Sequence, residues 1–550
     1  MKARATILRI VLLALLGAFA SRDTLAADSG PNMSALDRAV KKDPENPRVY
    51  EERAEARAAR KDFTGAISDY GKAAELASNP KAPLYERGLI WLAITNYPAA
   101  IADFSKAIEA DRFYVEAYVA RGEARRASGD LPGAIADDSK AIEYNPILSA
   151  AYGNRGNAYG AMGDYKSAVR DFTKVLENET NSFLAHHMRA VAYEAQGRVE
   201  LALDDYSAAI ELNPKVAAVW LGRANLRQAA GDAKGAVDDY SKALDLEPGS
   251  AAALFNRGFA RALSGNYQGA VDDFSKSIAL LPGNADAYLR RAQSRREIGQ
   301  WEGAGLDFTK TIELEKERVE AWLGRGLLRA QTNDFTGAVA DFTEALDLNT
   351  NSAEGFSYRG AARSALGEYD AALDDFGKAV VLNPRLAMAW YNRGVARQDI
   401  LQLREAADDY RTALQADPAF ETARTRLWVA RALLGERTAA TKDLAERLGS
   451  VPANQRGPAI AKIEMFLAGA LGEADLLRAA AAEKSSGGDT PGEALCRACY
   501  YAGMKRLLGR DRAGAAELLE KSLQTGDRSC EDYGSAQVVL RSLKRLAPGP

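Results

Sequence analysis

The chain has 550 residues, with 72 Lys and Arg against 75 Asp and Glu and a formal net charge of −3. That balance gives no electrostatic case for nucleic acid or an anionic membrane as partner. Two histidines argue against a multi-histidine metal site, and three cysteines are too few for a disulfide scaffold. At the start, Lys2, Arg4 and Arg9 precede an apolar run from Ile10 to Leu16 and small residues that allow cleavage after Ala20 or after Ala26. This pattern predicts a signal peptide over residues 1–26. Even counted on through Ala20, the run of about 11 residues falls short of the ~20 needed to span a bilayer. With no cysteine near the cleavage site, the expected product is periplasmic or secreted and not a lipoprotein, with no integral membrane span in the mature chain. Residues 27–46 hold one further helix, Ala35 to Lys42, expected to cap the apolar end of the helical stack that begins at Pro47.

From Pro47 to Pro418 one phrase governs the chain. Its anchor is an alanine that returns every 34 residues: Ala66, Ala100, Ala134, Ala168, Ala202, Ala236, Ala270, Ala304, Ala338, Ala372 and Ala406. Within the copy from Ala251 to Asn284, one amphipathic helix runs to about Leu263, Gly265-Asn266 stops it, and a second helix from Tyr267 ends before Leu281-Pro282. Neither helix can bury its apolar face alone, so each copy needs a like neighbour. Leu254, Arg257-Gly258, Arg261, Ala270, Phe274 and Pro282 resemble the tetratricopeptide repeat (TPR) pattern, and a 34-residue helix–turn–helix period is that family's signature. The resemblance implies an all-α TPR α-solenoid, a right-handed superhelix of eleven repeats over residues 47–418, with a groove that binds protein or peptide segments.

With the anchor placed at position 20 of each repeat, position 8 is always Gly or Ala, and position 24 is aromatic except at Asp138, a weak point in the stack. Position 7 is always Arg and position 23 always Asp. Both lie eight residues from the turn near position 15, so in an antiparallel hairpin they stand at one height. The expectation is a structural ladder of Arg–Asp pairs, among them Arg223 with Asp239, Arg257 with Asp273 and Arg291 with Asp307. Arg also fills position 11 in most repeats, and the frequent Gly at position 19 is expected to leave room for it.

Beyond Pro418 the period decays. Residues 419–484 read as degenerate TPR-like helices in which Leu427-Trp428 and Ala440 still fall in register, residues 485–492 as a linker, and residues 493–550 as a helical hairpin with a closing helix. The tail, with Cys499–Gly503, Ala515, Glu531-Asp532-Tyr533 and Leu540, resembles the C-terminus of bacterial envelope TPR lipoproteins that serve as adaptors for peptidoglycan hydrolases. A disulfide between Cys496 and Cys530 is expected in an oxidising compartment, with Cys499 the free thiol.

The sequence has no Gly-rich phosphate loop, no G-x-S-x-G phrase and no H-E-x-x-H phrase. His186 and His187 are adjacent and diverge on a helix. Cys496-x-x-Cys499 has no strand before it, and acid pairs such as Asp272-Asp273 lack the spacing of a calcium loop. No catalytic residue, cofactor or metal is therefore expected. In the family, positions 2, 5, 9 and 12 line the groove, and Lys at 5 with Asn at 9 clamps a C-terminal carboxylate. Here position 5 is never Lys. Leu221, Phe255, Leu289 and Leu323 occupy it in four successive repeats, with Phe259 and Leu327 one helical turn on, as a candidate partner-binding row. The reading is an exported, non-catalytic scaffold or adaptor in envelope assembly. The alternatives are a structural component of an envelope export or polysaccharide-secretion machine and a glycan-active enzyme or enzyme subunit.

Overall fold

The computed structural model describes residues 32–450, 458–482, 491–527 and 530–545. Every regular element among the described residues is an α-helix. The expected signal peptide, and residues 485–490 of the expected linker, lie outside them. The chain divides into two compact units, Met1–Ser264 and Gly265–Pro550.

In the first unit a lone helix, Met33–Lys42, precedes six hairpins, from Pro47–Ala59 with Phe63–Leu76 to Ala217–Ala229 with Ala233–Leu246, and a last helix, Ala251–Leu263. The lone helix is in register with the second helices of the repeats. Its Asp37 accepts from Arg53 at 2.9 Å, from the place that position 25 of a preceding repeat would occupy. The turns repeat one device. Position 15 is left-handed in every repeat. Glycine supplies it at Gly129, Gly163 and Gly231, whereas Lys61, Thr95, Asn333 and Leu401 adopt it with a side chain. The next residue caps the second helix: Asp62, Asp130 and Asp232 each accept the N–H three residues on, at 2.9 to 3.0 Å.

That cap adds to the reading of glycine at position 19, which also clears the position-11 arginine: a β-carbon at Gly65 would lie 2.9 Å from Arg57 Cδ. A β-carbon at Gly133 would stand 2.0 Å from the Asp130 carboxylate, so the missing side chain chiefly makes room for the cap. The arginine at position 11 is the nearest obstacle only where the cap is not acidic, as at Gly303, where Arg295 Cδ would lie 3.2 Å away.

Between the helices of a hairpin the small residues do what their size permits. All eleven anchor alanines are fully buried. The ring at position 24 lies against position 8, so close that a β-carbon at Gly88 would be 2.6 Å from Phe104 and one at Gly156 would be 2.9 Å from Phe172. Backbones thus approach closely and the rings fill the space between repeats.

The second unit begins with Tyr267–Leu280 and continues through four hairpins, from Ala285–Glu297 with Trp301–Leu314 to Ala387–Asp399 with Leu403–Ala416. A twelfth hairpin, Glu421–Leu433 with Arg437–Ser450, is followed by Pro458–Leu467, Glu473–Ala481, Pro491–Leu508, Arg512–Gln524 and Glu531–Arg545. Pro491 and Gly492, expected in the linker, already belong to a helix. The degenerate hairpin and the closing helices share one core built on Trp428, Phe466, Tyr500, Tyr501 and Leu519.

A buried polar network ties that core to the last regular repeat. Arg426, 0 % exposed, pairs with Asp532 at 2.6 Å, donates to Tyr500 Oη at 2.9 Å and to Ser535 Oγ at 3.1 Å, and lies 4.7 Å from the centre of the Tyr500 ring. Ser535 in turn donates to Asp399 at 2.9 Å, and Gln398 donates to Tyr500 Oη at 3.1 Å. Burial pushes the Asp399 carboxyl up to about 6.

Candidate functional site

The Arg–Asp ladder is present in every repeat contained within one unit. Arginine Nε and Nη2 donate to the two oxygens of one carboxylate: Arg223 reaches Asp239 at 2.8 and 2.8 Å, and Arg291 reaches Asp307 at 2.8 and 2.7 Å. Arg257 belongs to the first unit and Asp273 to the second; Arg257 itself donates to Ser241 at 3.2 Å. All the position-23 aspartates are buried. Two further contacts complete the ladder. The arginine at position 11 brings a second guanidinium to the same carboxylate, Arg227 to Asp239 at 2.9 Å and Arg295 to Asp307 at 2.7 Å. The free nitrogen of the position-7 arginine reaches back to a hydroxyl at position 25 of the preceding repeat, as Arg223 does to Ser207 at 2.9 Å and Arg291 to Ser275 at 3.0 Å. These side chains are committed to one another, which makes the ladder a tie within and between repeats. Position 25 was legible as a recurrent Ser or Thr, but the spacing gave no sign that it faces the next repeat's arginine.

The apolar row is unevenly placed. Leu221 is half-buried against the clusters of Tyr240 and of Leu244 with Leu254. Phe255 and Phe259 are half-buried. Leu323 is half-buried against the clusters of Phe308 and of Phe342, and Leu327 against the latter. Leu289 departs from the expectation: at 2 % exposure it lies inside the core with Phe308 and Trp322 and offers no surface to a ligand. Solenoid helices bury most of their girth, so one repeat position can be core in one copy and surface in the next.

The expected Cys496–Cys530 bridge stands here as two neighbouring thiols, both buried. The Cys530 thiol donates to Cys496, which lowers the Cys496 pKa and raises that of Cys530. Cys496 also contacts Ser522 Oγ at 3.3 Å. Cys499 is buried too, and desolvation pushes its thiol up to about 11. His186 binds the ladder, with Nδ1 2.8 Å from Asp205, and burial lowers the His187 pKa. Among the described residues there is no group of three or more His, Cys, Asp or Glu placed to hold a metal ion.

One polar site stands out from this closed framework, in the third and fourth repeats. Asp138 takes the place of the ring at position 24 and is 0 % exposed. Neither of its carboxylate oxygens has a hydrogen-bond partner. Around it stand Glu123, Arg126, Asp137 and Arg155. Burial, then the Asp137 charge, push the Asp138 carboxyl up to about 8, and burial raises that of Glu123. Arg126 Nε and, on the next repeat, Asn157 Oδ1 are also buried without partners. The sequence marked Asp138 only as a break in the aromatic pattern.

Helix–turn–helix units of one length, closed by small residues and stacked through a shared core, define a helical-repeat solenoid of the kind that serves as a protein-binding scaffold. The tetratricopeptide repeat profile matches residues 34–83, 85–146, 154–217, 221–285 and 289–353, and the chain belongs to the tetratricopeptide repeat family. No curated protein matches it. Three solved structures similar to it are YrrB, described as a TPR protein with an unusual peptide-binding site (23% identity over 34% of this chain and 95% of that one, TM-score 0.31), yeast Tom70 (17% identity, 80% and 97%, 0.34) and the APC/C hetero-tetramer Cut9–Hcn1 (15% identity, 72% and 92%, 0.36).

Proposed function

We propose that this protein is an exported, non-catalytic scaffold that binds polypeptide segments along the groove face of its repeats, in the assembly of a bacterial envelope. The observation that carries the binding role is the set of half-buried apolar side chains at groove positions, Leu221, Phe255 and Phe259 in one unit and Leu323 and Leu327 in the other. Leu221, Leu323 and Leu327 give part of their surface to the repeat cores, and all five keep part for contact. Export rests on the basic, apolar and small-residue order of residues 1–26. No described helix is long and apolar enough to cross a membrane.

Crosslinking of the full chain in intact cells, followed by mass spectrometry, reads the partner directly. Phe259→Glu with Leu327→Glu is expected to reduce partner crosslinks at least tenfold, with a melting profile close to that of the parent. Unchanged crosslinking in the folded variant places binding on another face. N-terminal sequencing is expected to begin at Ser21 or Ala27; a chain retained in the cytosol and starting at Met1 ends the export reading.

A further inference from the structure

We propose that Cys496 and Cys530 form a covalent modification site, a disulfide that bolts the closing helix Glu531–Arg545 to the helix Pro491–Leu508. The compartment that supplies the oxidant rests on the export reading above; the geometry does not. The chain leaving the helix Arg512–Gln524 passes the start of Pro491–Leu508, where a β-carbon at Gly492 would lie 3.0 Å from Asp527 Oδ2. One turn further along that helix, Cys496 contacts Ser522 Oγ at 3.3 Å, and Ser522 Oγ donates to the Cys496 carbonyl at 2.9 Å. The Cys530 thiol donates to the Cys496 sulfur. Cys530 is itself fixed at the foot of the closing helix. Its N–H donates to the Asp527 carbonyl at 3.3 Å, and its carbonyl accepts from the Tyr533 N–H at 3.0 Å. Backbone contacts on both sides thus hold the two sulfurs together.

The pair is chemically unequal. The hydrogen bond from Cys530 lowers the Cys496 pKa and raises that of Cys530, so Cys496 is the sulfur that reacts first as thiolate. It attacks the disulfide of an oxidised thiol–disulfide carrier, forms a mixed disulfide and releases one carrier thiolate. Cys530 then attacks the Cys496 sulfur and expels the second carrier sulfur, which takes the Cys530 proton. Two protein thiols are oxidised to one disulfide, and one carrier disulfide is reduced to two thiols. Cys499 has other surroundings. It lines a cleft of about 490 Å³ with Leu477, Leu495 and Lys521, and burial pushes its thiol up to about 11. Cys496 and Cys530 are 0 % and 2 % exposed, so the exchange belongs to folding, before the closing helix docks. Burial then shields the finished bond from reductants. The closing helix carries Asp532 and Ser535, the partners of Arg426 and Asp399, and a bond at Cys530 keeps them beside the core when that network opens. The bond also closes a loop of about 35 residues, which takes freedom from the unfolded end of the chain.

The test unfolds the full chain in urea and refolds it either with oxidised and reduced glutathione or with reduced glutathione alone. Remaining thiols are alkylated, and peptides are mapped without reduction. The expected product of the first arm is one Cys496–Cys530 bridge with Cys499 alkylated. Protease should then cut between residues 482 and 545 at least about tenfold more slowly than in the second arm. Cys499→Ser is expected to keep both the bridge and the protection, and Cys530→Ser to lose both while keeping its helical content. Three alkylated cysteines, a bridge that includes Cys499, or glutathione caps in place of a bridge overturn the proposal. So does a Cys496–Cys530 bridge that leaves the cleavage rate unchanged. The same mapping on the chain extracted from cells separates the pair from the export reading. An exported chain that begins at Ser21 or Ala27 with three free thiols overturns the pair. A chain that begins at Met1 with free thiols, yet forms the bridge on refolding, overturns export and leaves the pair standing.

Discussion

The buried aspartate at position 23 is the side chain on which each hairpin closes, and the repeats differ in how many cations guard it. Asp239 has Arg223 and Arg227, at 2.8 and 2.9 Å. Asp171 has Arg155 at 2.7 Å, while position 11 of that repeat is Tyr159 and the nearest other cation, Arg170, stands 3.8 Å away on an exposed side chain. Breaking a buried pair by removing one partner costs about 3–5 kcal/mol because a charge is left uncompensated. Arg155→Ala is therefore expected to cost that full amount, and Arg223→Ala roughly half of it, since Arg227 remains. Denaturant melts of the two variants rank them; equal losses would mean that the position-11 arginine contributes nothing to the ladder.

Single helices gain their place from their ends. The first helix of each repeat stops in a left-handed residue, the second starts on a capping side chain in most repeats but not at Arg198, Gln300, Glu368 or Gln402, and both signals are local in sequence. The closing helices are held differently, by Arg426, Asp532, Tyr500 and Ser535, brought together from separate elements. Among the described residues, Arg426→Ala leaves Asp532 with Arg497, at 3.6 Å, as its ion-pair partner. The expected loss is ~3–5 kcal/mol, concentrated in the helices Pro491–Leu508 and Glu531–Arg545. Limited proteolysis should then cut between residues 482 and 545 while the hairpins of residues 285–348 stay intact. Cleavage spread evenly over both regions would show that the network does not hold the end of the stack.

For the chain as a whole, repeats that touch mainly their neighbours imply that damage stays near its source. In Arg155→Ala, hydrogen exchange is expected to rise in the third and fourth repeats, to which Arg155 is tied through Ser139 and Asp171, and to stay unchanged in the first. A rise over the whole unit Met1–Ser264 would mean that it unfolds as one cooperative block. The same locality explains how the third repeat tolerates a buried carboxyl with no partner. Its neighbours keep the Arg–Asp pair, Arg87 with Asp103 and Arg155 with Asp171, and intact rings at Phe104 and Phe172.

The period, the anchor alanines, the turn residues and the Arg–Asp pairing were legible from residue order, because each depends on contacts inside a single hairpin of fixed length. The C-terminal core, the Arg426 network and the placement of Leu289 were not, because they join residues far apart in the chain whose meeting depends on how irregular helices pack. Asp138 lies between the two cases. Its departure from the pattern was visible as one letter, but that its oxygens are sealed from solvent without partners is decided only by the packing of adjacent repeats. Burial and hydrogen bonding are properties of the assembled neighbours, and a sequence position carries them only when the whole environment repeats with it.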